Sequence, residues 1–211
     1  MKNTFTDIFF EAERKAMAFL TSEYSFIVSD RRVIGGEKSQ YIFGTATYAE
    51  SKLLNKTNYL GRFVRLSVAP LRLELDLYIG AGDDRNDVYS ICELHNIIHG
   101  GEFPRCQHNL YEAMHDVSQL QAEFEILTQV LRTCGSRFFA GDKSLWEELK
   151  KHRIAVAQRQ EDIYASREAE KAFKSKQWDV VVSLLTPREC RLSNVDAAKL
   201  SYARKHRVDA P

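Results

Sequence analysis

The chain has 211 residues, 44% of them hydrophobic, with 30 Lys and Arg against 29 Asp and Glu and a formal net charge of +1. That length supports one fair-sized domain or two small packed lobes without covalent staples. The near-zero net charge provides no global field toward nucleic acid, a membrane surface or a polyanionic substrate, so partners must be selected by local patches.

From Thr4 to about Glu23, the apolar residues Phe5, Ile8, Phe9, Ala12, Ala16, Phe19 and Leu20 recur at three- and four-residue intervals, which predicts one amphipathic helix. Asp7, Glu11, Glu13, Arg14 and Lys15 interrupt the apolar run, so it does not read as a signal peptide. No window approaches the roughly 20 apolar residues of a membrane span. Cys92, Cys106, Cys134 and Cys190 are widely spaced, which favours reduced thiols and a cytoplasmic protein.

The period then changes. Phe26 and Val28 alternate with Ile27 and Ser29, Gly35-Gly36 supplies a turn, and Tyr41, Phe43, Thr45 and Thr47 alternate again, predicting two antiparallel strands. Turn formers fill Asn55 to Gly61. Val64, Leu66 and Val68 then alternate with Phe63, Arg65 and Ser67, and Leu71, Leu73, Leu75, Leu77 and Ile79 alternate with Arg72, Glu74, Asp76 and Tyr78. Pro70 fits a connection between these two runs. Residues 1–82 thus read as a helix on an antiparallel sheet of about four strands, and the chain as α+β.

Helical patterns fill the second region, residues 83–211, which is expected to pack with the first as one unit. Asp83, Asp84, Asn86 and Asp87 precede a short helix carrying Val88, Ile91, Cys92, Leu94 and Ile98, which ends at Gly100-Gly101. The acids do not follow a calcium-loop spacing and are expected to cap that helix. A long run from about Asn109 to Gly135 carries Leu110, Met114, Val117, Leu120, Phe124, Leu127 and Leu131 and reads as one helix. After a break at Ala140-Gly141-Asp142, a second long helix carries Leu145, Trp146, Leu149, Ile154, Ile163 and Tyr164. Ala169, Ala172, Phe173, Trp178, Val181, Leu185, Leu200 and Ala203 then form a single hairpin resembling a tetratricopeptide unit, with no second copy to make a solenoid.

Two sites are expected. The wet side of the sheet gathers Arg65, Arg72, Glu74, Asp76 and Tyr78, a mixed-charge surface with the arginine and tyrosine anchors favoured at protein interfaces. As an alternative, the chain is a metal-dependent enzyme or a metal-stabilised protein that uses the His/Cys cluster at 92–115, with His95, His99, Cys106 and His108 holding a zinc ion, since His95 and His99 stand four apart and share a helix side. The paired-cysteine and zinc-protease spacings are absent, and the helix-end histidines also complement a helix dipole. No phosphate-cradling glycine loop or nucleophile elbow is present, and the charge balance disfavours nucleic acid.

The stretches Ala18-Phe19-Leu20 to Tyr24-Ser25-Phe26, Leu131 through Gly135-Ser136-Arg137-Phe138-Phe139-Ala140-Gly141-Asp142, and Ala172-Phe173 to Tyr202-Ala203-Arg204-Lys205 resemble, in order, small bacterial proteins of the toxin-immunity kind. The resemblance implies a non-enzymatic cytoplasmic binder of a cognate toxin or another protein, an immunity or adaptor protein with no catalytic residues to carry over.

Overall fold

The structure is a computed structural model that describes residues 4–35, 42–50, 54–55, 58–59, 61–69, 74–81, 87–105 and 107–207. Its packing divides into two compact units, residues 1–150 and 151–211. The division falls well beyond residue 82, where the sequence changes from strand to helix patterning, because the helices that follow pack on the sheet.

The first unit is α+β. Its first helix, α1 (Phe5–Ala16), starts at a reciprocal cap in which Thr4 Oγ1 accepts the Asp7 amide at 3.3 Å and the Thr4 amide donates to Asp7 at 3.1 Å. The helix expected over 4–23 is two helices. Met17, buried, leaves helical geometry (φ −95°, ψ 3°), and α2 (Ala18–Tyr24) starts on a new axis that carries Phe19 and Leu20 into the core. Ser25 then adopts a left-handed φ of 57° and turns the chain into the sheet.

Strands β1 (Phe26–Ile34), β2 (Phe43–Glu50), β5 (Arg62–Ala69), β6 (Glu74–Ala81) and β7 (Val88–Ser90) form one antiparallel sheet in the order β1-β2-β5-β6-β7. A separate two-stranded sheet pairs β3 (Leu54–Asn55) with β4 (Asn58–Tyr59). Strand β7 is an addition to the expected four. Val88 reads as helical in the sequence, but Ser90 is the cap of α3 (Ile91–Ile98): its Oγ accepts the Glu93 amide at 3.2 Å while its own amide donates to Glu93 at 2.8 Å. Val88 and Tyr89 therefore precede the helix and pair with Gly80 and Ile79.

The register explains the period-two pattern. Tyr48, Val64 and Ile79 stand abreast on one side of the sheet, as do Ala46, Leu66 and Leu77, and all six are buried with Phe9, Leu20, Leu120, Phe124 and Leu131 of the helices. Burying a leucine or isoleucine of this kind contributes about 1.5–3 kcal/mol. A carboxylate sits inside this layer: Glu13 of α1, fully buried, accepts the Tyr48 hydroxyl and pairs with Arg31 Nε at 3.0 Å. Burial, and then the Glu13 carboxylate, raise the Tyr48 phenol above its ordinary value.

The long helix expected from Asn109 is interrupted. It consists of α4 (Leu110–Ala113) and α5 (Val117–Cys134), because the Asp116 carboxylate accepts the Ser118 and Gln119 amides at 2.7 and 3.0 Å and so starts a new helix. Helix α6 (Ser136–Ala140) ends on a left-handed Gly141, φ 72°. Helix α7 (Ser144–Lys174) contributes Leu145 and Leu149 to the core of the first unit and Ala169 and Ala172 to that of the second.

The second unit adds α8 (Trp178–Leu185), a 3-10 turn (Thr186–Arg191) and α9 (Asn194–His206). Its core is Ala169, Ala172, Val181, Leu185, Leu200 and Ala203. Three of these six are alanines, which let the helix backbones approach closely. Trp178 stands edge-on to Phe173 at 5.3 Å, and Tyr202 closes the aromatic group 5.5 Å from both. Among the described residues, no helix is long and apolar enough to cross a membrane.

Candidate functional site

The side of the sheet opposite the core is built by the other half of the strand alternation. One row runs across all five strands: Asp30, Thr47, Arg65, Tyr78 and Ser90. The next row is Arg32, Thr45, Ser67 and Asp76. Arg65, Asp76, Tyr78 and Glu74 therefore share one surface, as the alternation predicts; Arg72 lies outside the described residues.

Local contacts hold these side chains. Arg65 Nε donates to Thr47 Oγ1 at 3.3 Å and its guanidinium lies 5.3 Å from the centroid of Phe63. Phe63 points to the same outer side, buried yet apart from the main core, and lies across Gly80, where a Cβ would meet the ring at 2.2 Å. Arg32 Nε pairs with Asp30 at 2.9 Å. Tyr78 is half-buried, and burial followed by the neighbouring Asp76 charge pushes its phenol up to about 12, so it is a neutral hydrogen-bonding hydroxyl at physiological pH.

The sequence reading missed the apolar end of this surface. Ile34 and Phe43 face each other across β1 and β2 on the same side as Arg32 and Arg65, and they remain 60% and 36% exposed. The signal was present in the alternation, but a run of β-branched and aromatic residues does not say which strand end stays uncovered.

The histidine cluster is brought together only in part. His95 and His99 lie 5.6 Å apart between ring centroids on α3, with His95 edge-on to Phe103 at 5.5 Å. His108 is held elsewhere: its amide and its ring Nδ1 reach the buried Glu123 carboxylate at 2.6 and 2.7 Å, an anchor that fastens the loop before α4 to α5. Among the described residues, no three His, Cys, Asp or Glu side chains are placed to hold a metal ion; Cys106 lies outside them, as do Asp83, Asp84 and Asn86. Cys92, Cys134 and Cys190 are free thiols, and burial, with the Glu93 charge, raises that of Cys92.

A second feature lies within residues 151–211. An open cleft of about 490 Å³ is lined by Ile163, Leu185 and Leu192 and by Arg159, Arg167, Arg188 and Arg191. Asp162 pairs with two of these arginines, Arg188 Nε at 3.1 Å and Arg191 Nε at 3.0 Å, and Arg191 holds its carboxyl below the usual carboxylate range. The balanced net charge conceals this concentration: residues 151–211 carry 13 Lys and Arg against 8 Asp and Glu, and residues 1–150 carry 17 against 21. The sequence signal was the spacing of Arg159, Ile163 and Arg167 on one helix side, with Arg188 and Arg191 three apart after α8.

No protein-family model, curated protein or solved structure matches this chain.

Proposed function

We propose that the chain is a non-enzymatic protein-binding protein of the cytoplasm, of the immunity or adaptor kind, that holds a partner protein, such as a cognate toxin, on the outer side of its five-stranded sheet. The observation that carries this reading is the Ile34–Phe43 pair, exposed at the end of a surface that also presents Arg32, Arg65, Asp76 and Tyr78. Apolar anchors beside arginine and tyrosine supply the affinity of protein interfaces, and the mixed charges within each row supply orientation and encounter rate. The free thiols suit a reducing compartment.

The contacts on this surface support the recognition reading. On it Arg32 pairs with Asp30, Arg65 donates to Thr47, and the Tyr78 hydroxyl stays neutral. Isolating the tagged chain from cells that express it natively, at low salt, tests the reading: a stoichiometric protein partner is expected, and its retention should depend on Arg65, Tyr78 and Phe43. A chain that emerges alone, or whose partner survives loss of those three side chains, contradicts it.

A further inference from the structure

We infer that the arginine-lined cleft of residues 151–211 is a second binding site, one that takes an acidic peptide segment with apolar side chains beside its carboxylates. Asp162 serves two guanidiniums, so the three groups keep one uncompensated positive charge. Arg159 and Arg167 are exposed on the α7 wall and form no ion pair among the described residues. The other acid in the lining, Asp196, is already committed: it accepts the Ser166 and Ser193 hydroxyls at 2.8 and 2.9 Å and pairs with Lys199 at 3.2 Å. The cleft therefore gathers four arginines that Asp162 neutralises only in part, an arrangement relieved by an anionic ligand.

The lining decides which anion. Guanidiniums match carboxylates in fork geometry, and Asp162 shows that pairing inside the cleft itself, with both of its oxygens engaged by Arg191 at 3.0 and 3.2 Å. Ile163 and Leu192 offer apolar contact between the arginines, which a free inorganic anion would not use. No aromatic side chain lines the cleft, so nucleobases find no stacking platform there. A volume of about 490 Å³ suits a few residues of extended chain. Recognition of acidic motifs by clustered arginines is an established mode of peptide binding. This site is separate from the sheet surface and does not depend on it.

The test uses the full chain and fluorescence anisotropy with a labelled peptide that alternates glutamate and leucine. Binding is expected at low salt, weakening as salt rises. A peptide with glutamine in place of glutamate should bind at least about tenfold more weakly, as should the Arg159→Glu/Arg167→Glu variant toward the original peptide. That variant removes no ion pair, so its melting temperature should match the parent. The inference is overturned if the glutamate peptide fails to bind, if the glutamine peptide or the variant binds equally well, or if inorganic phosphate or single-stranded polyuridine displaces the peptide at lower concentration than free acidic peptide does.

Discussion

Phe63 lies across Gly80: a Cβ at Gly80 would stand 2.2 Å from Phe63 Cζ, far inside contact distance. The missing side chain is what lets an aromatic ring lie flat on the outer side of a sheet, and Arg65 then rests over that ring at 5.3 Å. Gly80→Ala should therefore destabilise the protein by about 1–3 kcal/mol, although alanine ordinarily suits a strand better than glycine. Denaturant melts of Gly80→Ala, Phe63→Leu and the double variant check this. The double variant should recover part of the loss; strict additivity would show that the ring is not the obstacle.

The Glu13, Tyr48 and Arg31 group predicts an asymmetric mutational response. Removing the carboxylate in Glu13→Ala leaves the Tyr48 hydroxyl and the Arg31 guanidinium without their partner and should cost about 3 kcal/mol. Tyr48→Phe keeps the ion pair and removes one donor, with an expected cost of about 1–2 kcal/mol. Equal losses in thermal or denaturant unfolding would place the weight on the tyrosine instead.

Acid should act on residues 151–211 through four carboxylates. Arg191 lowers Asp162, Lys199 lowers Glu170, Arg204 lowers Glu189, and Asp196 is lowered by Ser166, Ser193 and Lys199 against the opposing effect of burial. Carboxyl groups with depressed folded values bind fewer protons folded than unfolded, so their stabilisation is present above the ordinary carboxylate pKa of about 4 and is lost as pH falls through the lower folded values. Trp178 fluorescence in a Trp146→Phe background reports this unit. Asp162→Asn should reduce stability at neutral pH and flatten the acid dependence; an unchanged acid profile would show that these pairs add nothing.

The α+β class, the sheet and the sides of its strands were legible in the alternation from Val64 to Ile79, because one side of each strand is buried and a slip of one residue would invert it. The breaks were less legible. Asp116 sits inside an unbroken heptad-like run, and only the competition between its carboxylate and the helical hydrogen bonds decides that α5 begins there. Ser90 posed the same difficulty, since its reciprocal cap with Glu93 shortens α3 and releases Val88 and Tyr89 to the sheet. The candidate surface was read as charges and a tyrosine, and Ile34 and Phe43 joined it only once their cross-strand pairing and exposure were known. The arginine cleft was hidden by distance along the chain: Asp162 and Arg191 are 29 residues apart, and a net charge summed over 211 residues cancels the excess that only the division into two units exposes.

The most direct measurement of the protein-binding account is quantitative recovery of a partner on the parent chain and on Phe43→Ser/Arg65→Glu/Tyr78→Ala, isolated side by side from cells that natively express the protein. The three positions lie on the outer side of the sheet, and circular dichroism melts confirm that both chains are folded. The account predicts one protein at a constant ratio to the parent chain, reduced at least about tenfold on the triple variant. Recovery of that protein in equal amount on both chains, or of none on either, contradicts it.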